Sequence, residues 1–417
     1  MRMRSMTGTP AALALVALSG LATGCTVQEV VQAEHTELAV AERDIAENLL
    51  LDVGIINFDA GVEEDNNPQK SGVYEEIRRA EARYLPYHLK TTLQGTGFWG
   101  AVRVIPSRYV FTDVTLTGEI ERSNGEYVEL SVTVEDATGR QWFRRDYDMQ
   151  TGLRSYDMGR DRTQDPYQKI FNDIANDMRD YARTLEARDI ERIREVAEMR
   201  FFADMAPTAY GDYVATDEDG RTSLVRLPAE NDPMVDRLRQ IRERDRLVID
   251  TLNEHYANFY YGVALPYEGW RKKARENEVS IRQVKRSSTM RALLGVVVVA
   301  GSLSMDTDSS SRSRRNAKRV TQAVGIDRGI QTVISAWRLR QSADMYRADI
   351  RELSESFIAE AAPLTVQVEG QTRRLTGTAE AQYESWRKLL RDIYQLETGF
   401  SNDIDVGVPA RTVPGTD

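Results

Sequence analysis

The hydrophobic and polar positions divide the chain into alternating stretches first and helical stripes afterwards. LLLDVGIINFDAG predicts a strand whose core positions are Leu51, Val53, Ile55 and Phe58. After a polar loop over Glu63–Gly72, Ile77, Ala80, Tyr84, Leu85, Leu89 and Leu93 recur at helical spacing. Pro86 is expected to kink or split that helix, because proline removes a donor and crowds the preceding turn. Gly95-Thr96-Gly97 stops it, and WGAVRVIP predicts the next strand. FTDVTLTGEIERSNGEYVELSVTVED then alternates through Val114, Leu116 and Ile120, and resumes with Val128, Leu130, Val132 and Val134. Asn124-Gly125 between the two runs is a strong hairpin signal, since both turn residues must accept positive φ. QWFRRDYDM supplies a last strand, and Asp165-Pro166 is expected to cap a helix bearing Tyr167, Ile170, Phe171, Ile174, Met178 and Tyr181.

Beyond Leu185 the pattern becomes mainly helical. Asp189–Ala206 is amphipathic, and a short hairpin is expected around Asp219-Gly220. Asn231-Asp232-Pro233 opens a long helix striped by Val235, Leu238, Ile241, Val248, Leu252, Tyr256, Phe259 and Val263, with Asp245 interrupting. Pro266 is expected to end it, with a second helix starting near Tyr267. A hairpin at Glu369-Gly370 and a helix through Tyr383, Trp386, Leu389, Leu390, Ile393 and Tyr394 complete the pattern. The fold class is therefore α+β: an N-terminal α/β sandwich-like domain, a mixed sheet with two helices, precedes a mainly helical domain with small hairpins. The expected units are a signal segment at 1–24, a tether at 25–48, the α/β domain at 49–185, the helical domain at 186–399 and a disordered tail at 400–417.

The order of elements over about residues 50–185 carries a resemblance. LLLDVGIINFDAG, GTGFWGAVRVIP, LTGEIERSNGEYVELSVTVEDATGRQWFRRDY and DPYQKIFNDIANDM together resemble the α/β domain shared by TolB N-terminal domains and outer-membrane lipoproteins of the CsgG, PelC and peptidoglycan-synthase-activator kinds. RLPAENDPMVDRLRQIRERDRLVIDTLNEHY resembles a proteobacterial lipoprotein group, and that resemblance implies no activity. The first resemblance implies an assembly or docking role rather than catalysis, and fold analogy alone is a thin warrant for function.

The N-terminal pattern points to the same compartment. Arg2 and Arg4 precede an apolar run, Ala11–Leu18, far short of the roughly 20 residues that a spanning helix needs. Ala22-Thr23-Gly24-Cys25 then resembles a lipobox, with Ala22 standing where leucine is usual, and Cys25 is the one cysteine among 417 residues. Ala-Thr-Gly would also suit an ordinary signal peptidase, but a soluble exported protein has no reason to place its one thiol at the cleavage site. Cys25 is thus the candidate lipidation residue, which leaves no thiol for redox chemistry or disulfides. Thr26, in place of the aspartate that marks inner-membrane retention, favours the periplasmic face of the outer membrane. The expected partners are the membrane, through lipidated Cys25, and an envelope protein, with a homo-oligomer as a further candidate.

Net charge is −10, yet Arg271–Arg328 holds about fourteen Lys/Arg against five Asp/Glu. Within that stretch lies ALLGVVVVAGSLSM, residues 292–305, followed by a basic, low-complexity segment at 306–319. Fourteen uncharged residues are too few to span a bilayer as a straight helix. Three readings stay open: a buried helical hairpin, a buried strand, or a membrane or oligomer contact. The last would use Leu293, Leu294, Val296, Val297, Val298 and Val299, with Arg312, Arg314 and Arg315 facing anionic headgroups.

The search for catalysis ends without a candidate residue. His35, His88 and His255 have no metal-ligand spacing, and no Gly-x-Ser-x-Gly elbow, phosphate-binding loop or His-Glu-x-x-His occurs. The basic segment lacks the interleaved aromatics of a nucleic-acid surface. No enzyme activity, cofactor, metal or nucleic-acid partner is expected.

Overall fold

The computed structural model describes residues 35–63, 73–156, 164–229, 231–303, 344–356, 364–368 and 371–398, with 283–303 described as backbone. The fold is α+β, with a mixed five-stranded sheet and helices in the N-terminal part and a mainly helical region after it. Strand order is β2 (Val102–Ile105), β1 (Val53–Ile56), β3 (Val114–Ser123), β4 (Tyr127–Asp136) and β5 (Gln141–Gln150). β1 runs parallel to both β2 and β3, pairing Val53 with Val102 and with Val114, while β3, β4 and β5 are antiparallel. Helix α1 (Glu75–Thr96) makes the crossover from β1 to β2, and α2 (Gln168–Ala182) follows β5. The antiparallel strands bury Val114, Leu116, Ile120, Val128, Leu130, Val132 and Val134, and expose Arg144, Asp146 and Asp148. This is the alternation of a sheet wetted on one face.

The helical region packs against the β2 edge of the sheet, where Asn253 bonds both the N–H and the carbonyl of Val104, and against α1. Helix α3 (Ala187–Met205), the hairpin β6 (Val214–Thr216) and β7 (Thr222–Leu224), helix α4 (Pro233–Leu303), the hairpin β8 (Leu364–Val368) and β9 (Gln371–Leu375), and helix α5 (Ala379–Thr398) follow in order. Helix α4 joins two cores. Val235, Leu238, Ile241, Val248, Leu252 and Tyr256 pack with α3, α5 and Val104 and Ile105 of β2. One turn further on, Phe259, Val263, Tyr267 and Trp270 enter the core of the sheet, α1 and α2. At 71 residues α4 is about 105 Å long.

Both helices continue through their interior prolines, so Pro86 does not split α1 and Pro266 does not end α4. At Pro86 the reason is visible in the backbone. A proline leaves the carbonyl four residues earlier without its helical donor. That carbonyl, Ala82 O, accepts the N–H of Phe58 at 2.9 Å, so the missing bond becomes the joint between α1 and the segment after β1. Buried Tyr84, Leu85 and Leu89 hold the helix on either side. At Pro266 the affected carbonyl belongs to Gly262, on the exposed face, while Val263, Tyr267 and Trp270 fix the helix from the core side. Tyr267 therefore continues α4 rather than starting a new helix.

Asp165 is a further correction. Helix α2 begins at Gln168 after Tyr167, with no side-chain cap. The Asp165 carboxylate accepts the Tyr167 N–H at 2.8 Å, and its remaining bonds come from Arg271 of α4 and the Tyr84 hydroxyl of α1. The expected Asp-Pro cap is displaced by a partner 106 residues away.

The described part of the expected tether, residues 35–48, is non-helical up to a single 3-10 turn that starts at Glu47, and it is pinned to the body. Asn172 Nδ2 donates to Thr36 O (2.7 Å), Asn176 Nδ2 to Glu37 O (2.9 Å), Ala39 N to Asn176 Oδ1 (3.0 Å) and Ala41 N to Thr96 O (2.8 Å). Leu38 packs on the first core. These residues form a strap across α2 and the C-terminal end of α1.

Candidate functional site

The densest chemistry lies where α1, α2, β3 and α4 meet. Arg271 of α4 and Asp165 form a two-pronged ion pair, Nη1 to Oδ1 at 2.8 Å and Nη2 to Oδ2 at 2.9 Å, with both side chains almost wholly buried. The guanidinium also lies 4.1 Å from the Tyr267 ring centre and 4.8 Å from that of Tyr167. Burial alone would raise the Asp165 carboxyl, but the Arg271 charge and its hydrogen bonds hold it well below the usual carboxylate range. The Tyr84 hydroxyl donates to Asp165 Oδ2 at 3.0 Å. Next to this group, Glu81 Oε1 accepts from Ser123 Oγ (2.5 Å) and from the Tyr267 hydroxyl (2.6 Å). Burial pushes the Glu81 carboxyl up despite those bonds and the nearby Arg78 charge. His88 is buried with Nδ1 2.7 Å from the Tyr260 hydroxyl and Nε2 2.8 Å from Gln168 Oε1. Burial holds its imidazole below the ordinary value, so it is neutral near pH 7.

These groups clamp α4 to the sheet domain. Arg78 ties α1 itself to β3 by donating to Ile120 O at 2.6 Å. The Asn124-Gly125 turn completes the clamp: Gly125, at φ +80°, packs so closely on α4 that a Cβ there would meet Arg271 O at 2.2 Å.

A second group sits at the amino ends of the parallel strands. Asp113 Oδ2 accepts the Asp52 N–H at 2.9 Å, and Asp52 Oδ1 accepts the Ala101 N–H at 2.8 Å, which ties β1, β2 and β3 together. Asp52 and Asp113 lie in a polar cleft of about 630 Å³ lined also by Arg194, Glu195, Arg242 and Arg246. Ligands of open α/β sheets bind at the opposite, carboxyl ends of the strands. Here the segment just past the carboxyl end of β1 is covered, since Asn57 Nδ2 reaches the Tyr256 hydroxyl of α4 (3.4 Å) and Glu380 Oε1 of α5 (3.3 Å).

A third group fastens α5 to α4. Asp245, buried in the second core, accepts from Trp386 Nε1 at 3.1 Å and from the Tyr383 hydroxyl at 3.3 Å. Burial pushes its carboxyl up to about 7, against the pull of Tyr383, Trp386, Arg387 and Arg242. The residue that interrupts the apolar stripe is the polar fastener of the helix pair.

Of the residues singled out in the sequence, Cys25, the signal segment 1–24, Arg312, Arg314, Arg315, the basic segment 306–319 and the tail 400–417 lie outside the described residues. Leu293, Leu294, Val296, Val297, Val298 and Val299 fall on the backbone of α4, in helix rather than strand. Among the described residues no helix is long and apolar enough to cross a membrane, and no group of His, Cys, Asp or Glu is placed to hold a metal ion. His35, His88 and His255 lie on the strap, in α1 and in α4 respectively. Glu81 and Arg271 escaped notice, although each is a charge set on the buried face of its helix, and that is the available signal. No protein-family model matches this chain, and neither does any curated protein or solved structure.

Proposed function

We propose that this protein is a lipid-anchored component of a cell-envelope complex on the periplasmic face of the outer membrane, serving assembly rather than catalysis. The observation that carries the reading is the placement of the one cysteine, Cys25, just after a basic-then-apolar stretch and a run of small residues, Ala22-Thr23-Gly24. The use of buried ionisable groups supports it. Asp165, Glu81, His88 and Asp245 are engaged in fastening α4 and α5 to their neighbours, and hydrogen bonds occupy the segment following β1. The partner contact is assigned to the far end of α4, where 292–303 prolongs the helix past Arg275 and Arg282, which bind the β5 end and Glu126. A multiply acylated cysteine anchors durably, whereas one acyl chain binds membranes only marginally.

The test is palmitate labelling and envelope fractionation of the native protein beside Cys25→Ala. Label on the native chain alone, with release of the variant into the soluble fraction, is the expected result. An unlabelled native chain overturns the reading. A variant that stays in washed envelopes shows a second anchor and gives weight to the apolar end of α4.

A monomeric adaptor for an envelope enzyme is the alternative, favoured by Tyr261 and Leu265, which are 68% and 76% exposed four residues apart on α4. Light scattering in detergent separates the two: a closed oligomer that falls apart on deleting 292–319 supports assembly, and a monomer supports the adaptor.

A further inference from the structure

We infer that the face formed by the strap, α2 and the C-terminal end of α1 rests toward the headgroup surface in which Cys25 is anchored. The inference rests on lipidation of Cys25 and adds the orientation of the body. It follows from the length of chain between the anchor and the first fixed point. Thr36 is that point, because its carbonyl is held by Asn172, itself 5% exposed. Pulling the strap away would leave a buried amide without its partner and strip Leu38 from the core.

Thr36 lies eleven Cα steps beyond Cys25, so the connection reaches at most about 40 Å when fully extended. As a flexible chain its root-mean-square reach is about 20 Å. Roughly 300 residues packed compactly are about 50 Å across, and α4, about 105 Å long, makes this body longer than that in one direction. The connection is thus shorter than the body is wide, and the strap side cannot turn away from the bilayer without stretching the chain to its limit. The surface presented there has mixed charge. Lys169 is paired with Asp173, Arg179 with Asp180, and Arg145 of β5 with Asp177, while Val40 of the strap is 56% exposed. Glu37, Glu42 and Asp44 of the strap outweigh its Arg43, so the face is acid-rich and suits a zwitterionic headgroup layer better than an anionic one.

The test exploits the lone thiol. With Cys25 blocked by lipid, Asp180→Cys on α2 and Lys388→Cys on α5 each offer a single labelling site, both on exposed side chains. The full lipidated chain is placed in phosphatidylcholine vesicles carrying a small fraction of acceptor-labelled lipid, and energy transfer from each site is measured. Transfer from position 180 is expected to exceed that from position 388 severalfold. The difference should collapse when about forty Gly/Ser residues, which raise the root-mean-square reach to roughly 40 Å, are inserted after Thr26. Equal transfer from the two sites with the native connection, or a difference that survives the insertion, overturns the inference. Mass analysis of the Cys25 peptide in the same sample separates the two levels. An unmodified peptide overturns anchoring and orientation together, while a lipidated peptide with equal transfer overturns orientation alone.

Discussion

Replacing Asp245 by asparagine should stabilise this protein at alkaline pH and do progressively less as the pH falls. The carboxyl lies in the second core with about 7 as its folded value, against 3.8 ordinarily. The folded chain therefore holds a proton that the unfolded chain releases between those values, and stability declines as pH rises through that window. Across the full window the decline is worth about 4 kcal/mol, since each decade is about 1.4 kcal/mol. Asparagine keeps the shape, accepts from Trp386 Nε1 through its oxygen and donates to the Tyr383 hydroxyl through its amide, without any charge to bury. Between pH 5 and pH 8 its advantage over aspartate should grow by about 3 kcal/mol, because part of the decline is complete by pH 5. Urea unfolding followed by tryptophan fluorescence at the two pH values measures this, with Trp386 as a local reporter. Arg242 and Arg387 are the nearby cations that could hold the carboxylate ionised. If the difference between aspartate and asparagine is the same at both pH values, those cations have done so and the argument fails.

Three further outcomes follow from the clamp and the joints. Arg271→Met leaves Asp165 buried without its partner and should cost about 3–5 kcal/mol in chemical unfolding, whereas Arg271→Met with Asp165→Asn should recover much of that loss; a double variant as unstable as the single one would refute the pair as the cause. Gly125→Ala forces a Cβ toward the Arg271 carbonyl at positive φ and should lower stability by more than about 2 kcal/mol, together with faster amide exchange across 267–275 of α4. Pro86→Ala, which normally relieves a helix of about 3 kcal/mol, should give less than about 1 kcal/mol here, because the restored donor competes with Phe58 for Ala82 O; a gain near the full value in thermal unfolding would show that joint to be unimportant.

Local chemistry explains which features were legible in the chain. Alternation marked β3 and β4, Asn124-Gly125 and Asp219-Gly220 marked the β3–β4 and β6–β7 turns although Gly125 alone of the first pair takes positive φ, and Gly97 ended α1 in the left-handed conformation, since each depends on neighbours a few residues away. Met234 N–H donates to Asp232 Oδ1 at 2.9 Å, as the Asn-Asp-Pro opening of α4 led one to expect. Misreadings arose where distant residues supplied the missing partner. Pro86 looked like a break because its effect depends on Phe58, and Asp165 looked like a cap because Arg271 lies a hundred residues further along. Asp245 was legible only as an interruption, since its worth depends on Trp386 and Tyr383 of another helix.

The sequence by itself determined the single cysteine, the basic-then-apolar pattern ahead of it and the periodicities that make this an α+β chain, because composition and spacing are properties of the string. Tertiary structure decided that α4 runs unbroken through both cores, that buried ion pairs and tyrosines clamp it to the sheet, and that the segment from residue 36 is strapped to α2. Those features depend on which groups meet after the chain has collapsed. A buried charge or an orphaned carbonyl is tolerable only when a particular partner arrives from elsewhere in the fold.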